Sequence, residues 1–147
     1  MADGIFLIVT YLGYAGLKFV GYSLAAWVIR AILMRPDRSP WRVGLARTIL
    51  GIVVGGIYTA AWGAMASHGL FSGLPLSGGR AGPALWYLVG LVPVRLLEWT
   101  WLIWYFFDRR FAYPGRGGLC VALGTLWSFV LDVPAIMGVA SFVASIC

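Results

Sequence analysis

With 61% hydrophobic residues, 11% charged residues and a net charge of +6 over 147 residues, this chain is too apolar for a soluble domain, whose apolar share is about 45 to 50%. The composition places it in a membrane. The positive charge does not point to nucleic acid, because its distribution is that of membrane topology: Arg35, Arg38 and Arg42 follow the first apolar segment, Arg109, Arg110 and Arg116 follow the third, and the longer connection between them holds only Arg80.

Four segments, 5–29, 43–66, 84–107 and 119–146, are long enough to cross about 30 Å of hydrocarbon, which takes about 20 helical residues. They predict an all-α integral membrane protein, a single domain made of a four-transmembrane-helix bundle with kinked third and fourth helices. The positive-inside rule puts both basic loops in the cytoplasm and both termini outside. The first segment reads as a retained span rather than a secretory signal, since only Asp3 precedes it and it runs past any cleavage site. Lys18 is the single lysine among eleven basic residues. That arginine bias points to a GC-rich, bacterial source and hence to an inner membrane.

In the first span Tyr11, Tyr14, Lys18 and Tyr22, spaced by three, four and four, share one helical face. Lys18 lies about 20 Å from the outer end, too deep to snorkel with ease. Trp27 and Arg30 read as interface anchors. The following stretch, with Pro36, Asp37 and Pro40, reads as a tight turn in which Ser39 caps the second helix and Pro40 takes its first position.

The second span aligns Arg47, Gly51, Gly55, Tyr58 and Trp62. Gly51 and Gly55 form a GxxxG, which predicts a close helix contact within the chain or between copies. Arg47 lies about one turn inside the boundary, where an arginine is expected to snorkel toward phosphates. The glycine-rich connection from Ser67 to Pro83 reads as a flexible or re-entrant loop, with His68 as a surface residue.

The third span carries Pro93, Arg95, Glu98 and Trp99 through its middle. A proline there frees the carbonyl one turn earlier, that of Val89, and opens a kink beside the charges. Trp99 is placed to shield Glu98, and Trp101, Trp104, Tyr105, Phe106 and Phe107 form an aromatic belt. In the fourth span Thr125, Ser128 and Asp132 share a face, and Pro134 follows the acid. Cys120 and Cys147 fall at opposite membrane faces, which excludes a bridge between them and leaves Cys147 able to pair only between chains, and neither has metal-ligand spacing.

Lys18, Arg95, Glu98 and Asp132 therefore lie at similar depth and balance in charge, with Tyr58 adding a hydroxyl and Tyr14, Arg47, Trp99 and Ser128 as secondary candidates. One Arg, Lys or Asp at a helix centre costs about 2.5 to 3.5 kcal/mol, so these groups must face one another or water. Either they form a neutral network that orients the helices, or they line a polar cavity in which the cations meet an anionic group and a carboxylate carries a proton or cation. The second reading predicts binding or translocation of a small solute, ion or lipid headgroup. The alternatives are an accessory or assembly subunit of a larger membrane complex, and an intramembrane lipid-modifying enzyme using Glu98 and Asp132 as a carboxylate pair. No catalytic residue, metal or cofactor is indicated. The expected partners are membrane lipids and a homo-oligomer or larger complex.

Overall fold

The computed structural model describes residues 2–69, 82–110, 112 and 114–146, with side chains for 12–69, 86–110, 112 and 114–133. The 70–81 connection with Arg80, and Cys147, lie outside the described residues, as do the side chains of Tyr11, Pro83 and Pro134. Four helices follow one another: α1 (Ala2–Ile32), α2 (Pro40–Ser67), α3 (Gly82–Phe106) and α4 (Pro114–Ile146).

Each of the last three opens with a proline at its first or second position, where the missing N–H has no intrahelical acceptor to lose. Ser39 stands in extended conformation at the N-cap of α2 with Pro40 next to it, as the sequence predicts, but its hydroxyl makes no capping bond. The α1 terminus folds back through two bonds, from the Arg35 N–H to the Arg30 carbonyl at 2.9 Å and from the Met34 N–H to the Ala31 carbonyl at 3.3 Å. This is the Schellman arrangement, and it holds Met34 at φ 53°, a position usually given to glycine. Pro93 is accommodated inside a single α3 helix.

Around the bundle α1 packs on α2, α2 on α3, α3 on α4 and α4 on α1. The described backbones of α1 and α3, and of α2 and α4, face each other only across the centre, so side chains must fill it. Stretches in three helices, Leu12–Ile32, Pro40–Ser67 and Pro114–Val133, are long and apolar enough to cross a membrane. At 25 residues α3 extends about 37 Å.

The apolar core lies toward the end that carries the two short loops. Ala26, Ile29 and Leu33 of α1, Val43 of α2, Leu102, Ile103 and Phe107 at the end of α3 and Cys120 of α4 are all buried in one cluster. Close approach there depends on glycine, at positions other than the GxxxG. A Cβ on Gly44 would collide with the backbone and hydroxyl of Ser23, and one on Gly124 would fall inside the Trp99 indole. Gly55, by contrast, has no atom within 4 Å of a would-be Cβ, and Gly51 meets only the Arg47 and Arg95 side chains. Among the described residues the GxxxG therefore brings no second helix backbone close, and Gly51 meets α3 through the Arg95 side chain.

Candidate functional site

Directly above the apolar core the bundle centre is filled by charge, arranged in two layers one helical turn apart. Tyr22, Arg47, Trp99 and Ser128 form the lower layer. Four residues further along their helices, about 6 Å, Lys18, Arg95 and Asp132 form the upper one, and Glu98 reaches both.

Five ionised side chains alternate in sign along a continuous path. Lys18 Nζ lies 2.6 Å from Asp132 Oδ1, Arg95 Nη2 3.1 Å from Asp132 Oδ2, Arg95 Nη1 3.0 Å from Glu98 Oε2, and Arg47 Nη2 2.7 Å from the same Glu98 oxygen. Exposure falls steadily along this path, from 14% for the Lys18 side chain through 10% for Asp132, 5% for Arg95 and 3% for Glu98 to 0% for Arg47. The end at Arg47 is sealed by the apolar core beneath it. The end at Lys18 is the more open.

The surrounding side chains hold this path in place. The Tyr14 hydroxyl donates to Asp132 Oδ1 at 2.9 Å, and Lys18 Nζ lies over the Tyr14 ring at 4.5 Å. Ser128 Oγ accepts from Trp99 Nε1 at 2.9 Å and from Arg47 Nη2 at 3.3 Å while donating to the Gly124 carbonyl at 3.0 Å. The Arg47 guanidinium also sits 4.7 Å from the Tyr22 ring centroid and 5.6 Å from that of Trp99. The negative ring faces attract it, by about 2 kcal/mol when such a contact is desolvated.

Lys18, Arg95, Glu98 and Asp132 thus converge as the sequence predicts, with Tyr14, Trp99 and Ser128 beside them. Arg47 departs from its predicted snorkelling: it is fully buried and turned inward. The reason is local. Arg47 continues the buried stripe of Val43 and Gly44, and Glu98 meets it at the same level. Trp99 is fully buried, and Glu98 beside it is buried too. Tyr58 is not part of the path. It lies eleven residues, about 16 Å, beyond Arg47 on α2, where its hydroxyl donates to the Tyr87 carbonyl at 2.9 Å and its ring packs against Trp62 and Tyr87. Glu98 and Asp132 are separated by Arg95, which binds one with each Nη, so they do not share a proton as a carboxylate pair would.

Including Arg47 changes the charge of the site. Three cations now face two carboxylates. Several polar atoms are also left over: Arg47 Nε and Nη1, Arg95 Nε, Glu98 Oε1, Tyr22 Oη and Thr125 Oγ1 are buried with no hydrogen-bond partner among the described residues. An unpaired buried polar atom costs about 1 to 3 kcal/mol, and a surplus charge costs more. The Nη1 atoms of Arg47 and Arg95 both point toward Gly51, lying 2.9 and 3.7 Å from where its Cβ would stand.

No protein-family model matches this chain, and no curated protein or solved structure shows significant similarity to it.

Proposed function

We propose that the protein is a four-span bacterial inner-membrane protein, with its termini outside and its basic loops in the cytoplasm, that binds a small anionic group at the mid-membrane site and carries it across. The observation that supports this most directly is Arg47: fully buried, with two donor nitrogens unpartnered, in a network of three cations and two acids. An anion beside Gly51 neutralises the surplus and occupies donors that are already oriented, so little ordering has to accompany binding. Arginine forks match carboxylate and phosphate oxygens two at a time, which makes a small carboxylate, a phosphate or a headgroup phosphate the fitting class. Access runs from the Lys18 end. Passage to the other side requires the layer of Ile103, Phe107 and Leu33 to part, as in alternating access around a fixed midplane site.

The test is binding and flux with defined probes. Purified protein is titrated calorimetrically with acetate, chloride and inorganic phosphate, and reconstituted in liposomes for uptake of the same ions. At least one probe should bind saturably and cross faster than in empty vesicles. Arg47→Met should abolish both signals while leaving the protein folded, and Tyr58→Phe should leave both unchanged. Equal behaviour of the wild type and Arg47→Met would overturn the proposal.

A further inference from the structure

A second group of arginines, sharing no residue with the buried network, meets at the loop end of the bundle. The two short loops are joined there by the Arg35 Nε–H, which donates to the Phe107 carbonyl at 3.1 Å. Between them lies a cavity of about 270 Å³ whose lining includes Arg35, Arg38, Arg109 and Arg110, with Tyr105 and Phe107 as aromatic wall. Two carboxylates oppose these four cations. Asp37 pairs with Arg38 at 3.2 Å, and Asp108 Oδ1 accepts the backbone N–H of Arg110 at 3.2 Å. A surplus of two positive charges remains around a space large enough for a phosphate group.

Tyr105 connects this space to the lipid-facing surface. The Arg109 guanidinium lies 5.3 Å from its ring centroid, and the same ring stacks on Trp101 at 5.3 Å with the planes 9° apart. Both rings are exposed. Trp101 lies one helical turn, about 6 Å, nearer the middle of α3. The ligand contact surface is therefore charged at its outer edge and flat and apolar on the membrane side. A soluble phosphate uses only the first half of such a surface, whereas a phospholipid uses both.

We propose that this cavity binds the phosphate of an anionic phospholipid, with the arginines around the headgroup and the stacked Trp101–Tyr105 face against an acyl chain. Basic pockets at the ends of membrane helices bind anionic headgroups on these terms, with about a fivefold gain in affinity for each arginine near the surface. Removing Arg109 and Arg110 together should weaken binding by about thirtyfold.

The full-length chain, purified in a non-ionic detergent, is titrated with dioleoylphosphatidylglycerol or with dioleoylphosphatidylcholine and read by native mass spectrometry. Phosphatidylglycerol should give one saturable adduct that phosphatidylcholine does not. The Arg109→Ala, Arg110→Ala double variant should lose it by the stated factor with an unchanged melting temperature. Tyr105→Ala should weaken it too, through the chain contact. Arg42→Ala, which removes an exposed arginine at the same end but outside the cavity, should weaken it by less than the loss of either Arg109 or Arg110. Equal binding of the two lipids, or an equal loss in Arg42→Ala, would show diffuse surface attraction instead of a site. Displacement of the lipid by inorganic phosphate alone, with Tyr105→Ala silent, would show a soluble phosphate site. Either result overturns the proposal.

Discussion

Replacing Arg47 by methionine should destabilise the protein much less than replacing Glu98 by glutamine, although each change breaks the same 2.7 Å ion pair. At an effective dielectric of about 20, two charges about 4 Å apart attract by about 4 kcal/mol. Glu98 has two such neighbours, Arg47 and Arg95, so its loss forfeits about 8 kcal/mol of attraction and leaves three cations facing one carboxylate. The desolvation cost it no longer incurs offsets part of this, and the net loss should be about 3 to 5 kcal/mol, the usual cost of orphaning a buried charge. Arg47→Met forfeits one attraction of about 4 kcal/mol and about 2 kcal/mol of ring contact. Against that it removes several kcal/mol of desolvation and restores charge balance among Lys18, Asp132, Arg95 and Glu98. Its net cost should be about 0 to 2 kcal/mol. Reversible unfolding in mixed micelles, followed by circular dichroism, measures both. An Arg47→Met variant as destabilised as Glu98→Gln would refute the surplus-charge reasoning, because Arg47 would then be an ordinary member of a closed clamp.

Three other substitutions probe the frame around the site. Gly124→Ala places a methyl group where the Trp99 indole lies and should cost about 1 to 3 kcal/mol through overpacking, with a change in tryptophan fluorescence that follows displacement of the ring. Tyr58→Phe removes the hydrogen bond to the Tyr87 carbonyl and should lower stability by about 1 kcal/mol without touching the ionic path, as judged by unchanged anion titrations. Met34→Gly relieves a left-handed backbone position that costs a non-glycine residue about 1 to 2 kcal/mol, so its melting temperature should rise.

The charges at mid-helix were legible because an apolar segment offers them nowhere to go. Lys18, Arg95, Glu98 and Asp132 could be assigned to one another from depth and cost alone. Arg47 was not legible in this way. Its seven-residue distance from the start of α2 suited a snorkelling side chain, and nothing local reveals that Glu98 lies opposite at the same height. The signal that could have found it is the stripe Val43, Gly44, Arg47, Gly51, in which two glycines flank an arginine on the inward face. Tyr58 failed for the opposite reason: it shares that face, but depth counted from helix ends placed it in the layer of Lys18, Arg95 and Asp132, from which it is about two turns removed. The glycines that permit close approach, Gly44 and Gly124, carry no motif, whereas in the GxxxG that does carry one Gly55 has open space beside it and Gly51 lies against arginine side chains. Spacing along one helix says which residues share a face, and only the partner helix decides which of them are pressed against a neighbour.

The claim on which the account turns is that an anion completes the Arg47–Arg95 pair. Bromide offers the most direct test, since its anomalous scattering marks its position in crystals of the protein. The account predicts an anomalous peak beside Gly51 within hydrogen-bonding reach of Arg47 Nη1, absent from crystals of Arg47→Met grown in the same bromide solution. A wild-type map with no peak there, and with the Arg47 donors bound to ordered water, would contradict it.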